Sequence, residues 1–81
     1  MSNTVVESPA QVVLHGHILE AQSERGTLMV NLKEVVCVGY VEFDVLTKVT
    51  LVAEGRAIEI NIKKDRYVAD GILRAWRAYS I

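Results

Sequence analysis

A chain of 81 residues with a net charge of −1 is long enough for one domain, too short for two, and has no overall pull toward nucleic acid. Hydrophobic residues make up 51% of it, and thirteen of them are valine, more apolar surface than one thin sheet and one helix easily hide. The lone cysteine, Cys37, excludes an internal disulfide and the paired-cysteine metal motifs.

Residues 1–10 are polar, carry no basic run and contain Pro9, which delays regular structure. They are expected to form a flexible leader without the features of a secretory signal. The domain is expected over residues 11–81. Val12, Leu14 and Ile18 share one parity, the period of a half-buried strand, and Gly16 on the same parity suggests a bulge or a close backbone approach. Residues 21–26 are polar and end in Gly26, which predicts a hairpin loop.

Leu28, Val30 and Leu32 then alternate with Met29, Asn31 and Lys33 as a second strand. Residues 35–38 are apolar on both parities, so they are either buried on both faces or placed at an interface. A turn is expected near residues 44–48. Beyond it, Val49, Leu51 and Ala53 alternate inward, Glu54 and Gly55 turn the chain, and Ile58, Ile60 and Ile62 alternate inward again.

The remainder is helical. Asp65 suits the capping position. Val68, Ile72, Ala75, Trp76 and Tyr79 form one apolar stripe, and Arg66, Asp70 and Arg74 recur every four residues on another face. Gly71 weakens a helix, and a tight approach to the sheet would account for it. The expected fold is therefore α+β: an antiparallel sheet of four to five strands with one C-terminal amphipathic helix packed on it.

Few residue groups point to chemistry. His15 and His17, two apart in an expected strand, would project from one face at a spacing able to share a metal ion, with Cys37, Glu20 and Glu42 as further donors. Nothing in the sequence brings those donors together, and two solvated histidines are the simpler reading. Cys37 among valines reads as a small buried hydrophobe rather than a nucleophile. Glu42 and Asp44 read as an ordinary outer face or turn. No glycine-rich phosphate loop is present, so no catalytic residue and no cofactor are expected.

Charge is unevenly distributed. Residues 1–62 carry four basic and eight acidic side chains, whereas residues 63–81 carry five basic and two acidic. Lys63, Lys64, Arg66, Arg74 and Arg77 lie near Tyr67, Trp76 and Tyr79, a composition shared by protein interfaces and by surfaces that bind phosphates and stack bases. The expected function is a small non-catalytic protein-interaction module, such as an adaptor, an assembly subunit or a phage-type inhibitor. It would bind a protein partner or a second copy of itself as a homodimer. A nucleic-acid-binding module using the basic helix is the alternative. The apolar runs are too short to cross a membrane, and a reducing cytoplasmic setting is the default.

Overall fold

Two strands with strict alternation organise the domain. In the computed structural model, which describes the backbone of residues 3–79 and the side chains of residues 10–79, these are β5 (Leu46–Ala53) and β6 (Arg56–Lys63). Glu54 and Gly55 join them, with φ of 52° and 74°. Two successive positive φ values define the tight turn whose twist matches a hairpin, and the second is adopted without strain because it falls on glycine. The register sets Leu51 opposite Ile58, Val49 opposite Ile60 and Thr47 opposite Ile62, so all six side chains share the inner face.

The sheet holds six strands, not four or five, and it is mixed rather than purely antiparallel. β1 (Asn3–His15), β2 (Ile18–Ser23), β3 (Gly26–Asn31) and β4 (Val35–Glu42) complete the order β3-β2-β1-β6-β5-β4. The extra strand comes from a hairpin at Gly16 and His17, where an uninterrupted strand was expected. Gly16 is neither a bulge nor a close approach. With φ of 61° it opens a two-residue turn that brings His15 opposite Ile18.

The parallel pairing arises because β1 works in two halves. Its backbone from Asn3, within the stretch expected as a leader, lies alongside β6. Residues 1 and 2 of that stretch lie outside the described residues. From Gln11 onward β1 pairs with β2 instead. Its register with β6 breaks between Val6 and Ala10, the interval that contains Pro9, which has no N–H to give to a ladder.

A short 3-10 helix, Leu32–Glu34, joins β3 to β4. The amide of Leu32 donates to the carbonyl of His17 at 2.8 Å, tying this link to the β1–β2 turn. The C-terminal helix α1 (Arg66–Tyr79) is capped by Asp65, whose Oδ1 accepts from the amides of Tyr67 and Val68 at 3.0 and 3.4 Å. Most of its stripe is seated as the spacing predicts: Ile72 is buried with Ala69, and Val68, Ala75 and Trp76 pack beside them, whereas Tyr79, the last of the stripe, is exposed. Burying Ile72 completely contributes about 1.5–3 kcal/mol. The close approach to the sheet that would account for Gly71 is absent, because a Cβ there would have open space around it.

Two polar bonds fix the helix on the sheet. Asp70 accepts from the Tyr40 hydroxyl at 3.1 Å, and Trp76 Nε1–H donates to the carbonyl of Val35 at 2.8 Å. Both anchors are on β4, so the helix is held to the outermost strand. At its far end the Tyr79 ring meets His17 edge to face, with centroids 5.9 Å apart.

Candidate interaction surface

β4 begins with a bulge. Val35 lies opposite Ala53 and Cys37 opposite Val52, which leaves Val36 unpaired between them. The run that is apolar on both parities is thereby divided. Val35 is buried and Val38 half-buried on the inner face, whereas Val36 is 73% exposed and Cys37 is exposed. The expectation that Cys37 is a buried hydrophobe is overturned, because its place in the register sets it on the outer face with Val52 and Ala57.

The apolar exposure continues along the strand and into the β4–β5 turn. Val41 is 57% exposed, Phe43 49% and Val45 80%. The turn comes slightly earlier than expected, over residues 43–45, and is closed by the Phe43 amide donating to the Leu46 carbonyl at 2.8 Å. Among the described residues no strand pairs the outer side of β4, although β3 is linked to it through only three residues. This strand and the turn after it therefore combine an open backbone edge with five exposed apolar or thiol side chains between Val36 and Val45, interspersed with the exposed Glu42 and Asp44. Large apolar side chains exposed singly are ordinary, but a run of them beside an unpaired edge marks a contact surface.

The basic side chains do not gather into one patch. All five are exposed, but Lys63, Lys64 and Arg66 stand at the start of α1, with Lys63 across the ladder from Leu46 and so beside the β4–β5 turn. Arg74 and Arg77 lie two to three turns further along the helix, about 12–17 Å from Arg66. Trp76 and Tyr79 are already engaged with Val35 and His17. Tyr67, at 85% the most exposed of the large hydrophobic residues described, stands with the first basic group.

The histidines part company too. His15 ends β1, and its Nε2 lies 3.0 Å from Glu20 Oε1, whereas His17 belongs to the turn and packs on Tyr79. The shared strand face expected for them does not exist, and among the described residues no three His, Cys, Asp or Glu side chains gather where a metal could sit. The Glu20 carboxyl is held below its ordinary range, chiefly by the Gln22 amide donating to it, with partial burial acting the other way and His15 adding a smaller lowering effect. An open depression of about 530 Å³ runs between Ala10, Gln11, Val12, Ile62, Lys63, Asp65 and Val68. Its lining mixes aliphatic side chains with Gln11, Lys63 and Asp65.

The sequence signal for the β4 surface was the run that is apolar on both parities, which left burial and interface as equal readings. Phe43 and Val45 gave no such signal, because their exposure depends on where the turn falls. None of the described helices is long and apolar enough to cross a membrane. Fold and surface together define an α+β domain with a mixed sheet, one face covered by a helix and one long apolar edge. Compared with known protein families, curated proteins and solved structures, the chain matches none.

Proposed function

We propose that this chain is a small, non-catalytic protein-contact module that binds through β4 and the β4–β5 turn. The reading rests on one observation: Val36, Cys37, Val41, Phe43 and Val45 are exposed in sequence along an unpaired sheet edge. Association that covers such a strip removes apolar area from water and supplies hydrogen-bond partners to the backbone in the same step. The separation of His15, His17 and Cys37, and the burial of Trp76 against Val35, favour contact over chemistry at those residues.

The nucleic-acid reading has less support, because its basic residues are divided and two of its three aromatics are occupied within the fold. The test is differential capture from the native host with the wild-type chain and with Phe43→Ser/Val45→Asp, both shown to be folded by circular dichroism. Proteins retained by the wild type and lost from the variant support the reading. Equal retention by both removes the surface from consideration. Retention of nucleic acid that falls steeply with salt would favour the alternative instead.

A further inference from the structure

We infer that the occupant of the β4 edge is a second copy of the same edge, paired antiparallel about a two-fold axis at Gly39, so that two six-stranded sheets join into one. This rests on the contact-module reading and specifies its partner.

An unpaired strand presents alternating N–H and C=O groups, and the occupant that satisfies them all is another extended backbone. The two edges of this sheet differ in length and in the charges that flank them. β3 is six residues long, with Arg25 before it and Lys33 two residues after it. β4 is eight residues long and has no proline, and its charges lie at its ends: Glu34 just before it and Glu42 at its last position, opposite Thr47 on the inner face. From Val36 to Val41 no lysine, proline or inward charge guards the strand against pairing, and the one bulge lies at Val36, at its start. From Cys37 to Glu42 the ladder with β5 is regular.

The axis position follows from self-complementarity. A two-fold axis perpendicular to the sheet opposes residues of equal parity. Centred on Gly39, it sets Cys37 against Val41 of the other copy, and Val41 against the other Cys37. The two exposed outer-face side chains that flank Gly39 then cover each other. Val38 meets Tyr40 on the inner face. The one carboxylate, Glu42, falls opposite Val36 rather than opposite its own copy, so no like charges meet. Gly39 at the axis has open space where a Cβ would be, so nothing within the protomer crowds the backbone there.

Light scattering of the wild type should return twice the 9.0 kDa chain mass, and Val41→Lys should return the single mass with an unchanged circular dichroism spectrum. Cross-linking fixes the register independently of whether that variant folds. Across the proposed axis the two Cys37 residues stand four positions apart, about 13 Å, beyond disulfide reach. Oxidised glutathione should therefore leave the wild type uncrosslinked. It should join Val41→Cys into a covalent dimer through two bonds, each formed as two thiols lose two electrons and two protons and one oxidised glutathione becomes two reduced molecules. Val45→Cys, exposed but off the ladder, should remain uncrosslinked.

A wild type at the single mass at all concentrations, with β4 amides exchanging freely, overturns the inference. So does a dimer that survives Val41→Lys while Val41→Cys fails to cross-link. A monomer whose host partner still depends on Phe43 and Val45 ends self-pairing and leaves the contact-module reading intact. If capture is also indifferent to those residues, both readings fall.

Discussion

Removing the Trp76 indole tests whether helix and sheet share one interior. The ring packs on the core while remaining partly exposed, and its N–H reaches the Val35 carbonyl at the start of β4. Truncating a fully buried tryptophan to alanine costs about 3–5 kcal/mol, so the apolar share here is about two-thirds of that. Losing the hydrogen bond and leaving a carbonyl next to a buried side chain adds about 1 kcal/mol or more. The expected sum for Trp76→Ala is about 3–4 kcal/mol. A domain of this size has about 4–12 kcal/mol in total, so the loss should lower Tm by more than about 12 °C.

Trp76→Phe keeps most of the ring contact and loses the donor, and should cost about 1–2 kcal/mol. The two costs separate packing from hydrogen bonding. Urea or thermal unfolding followed by circular dichroism is the assay, because Trp76 is the only tryptophan and both variants lose its fluorescence. All proteins must be compared at one concentration, since self-association adds to apparent stability. If both variants lie within about 0.5 kcal/mol of the wild type, the scale of a surface substitution, Trp76 does not hold the helix on β4.

Thr47 is wholly buried on the inner face, and its hydroxyl has no hydrogen-bond partner among the described residues. Thr47→Val should therefore raise stability by about 1–2 kcal/mol in a urea titration, and a loss would mean that the hydroxyl is satisfied. Glu54 holds a positive φ in the β5–β6 turn, so Glu54→Asn, which tolerates that conformation ahead of Gly55, should add about 0.5 kcal/mol or more. An unchanged midpoint would show that the turn carries no strain. Glu20 is stabilised as the carboxylate, so its share of stability is full above the ordinary carboxyl range and is lost as pH falls through its lowered value. Gln22→Ala removes the main donor and should move the Glu20 carboxyl titration, followed by NMR, upward toward the ordinary range. A titration that stays in place would assign the lowering to another group.

The elements built on a single period were legible in the sequence. The Val49–Leu51–Ala53 and Ile58–Ile60–Ile62 alternations, the Glu54–Gly55 turn and the capped helix were all set by neighbouring side chains, because face and period are local properties. The Gly16 turn was missed because a glycine on a strand parity suits a bulge as well as a two-residue hairpin, and only the pairing of His15 with Ile18 separates them. Of the surface residues, Val36 and Cys37 lie in a run that suits either burial or an interface, and nothing local marks Phe43 and Val45.

The composition also pointed to leftover apolar surface, since thirteen valines in 81 residues are more than one sheet and one helix easily cover. Where that excess lies was settled by tertiary structure alone. Strand order is a choice among distant partners, and nothing local in residues 35–42 states that this strand is outermost. The parallel pairing of β1 with β6 sends β1 and β2 to one end of the sheet and β4 to the other. That long-range choice makes an apolar strand an edge and places Cys37 and Val41 at the surface.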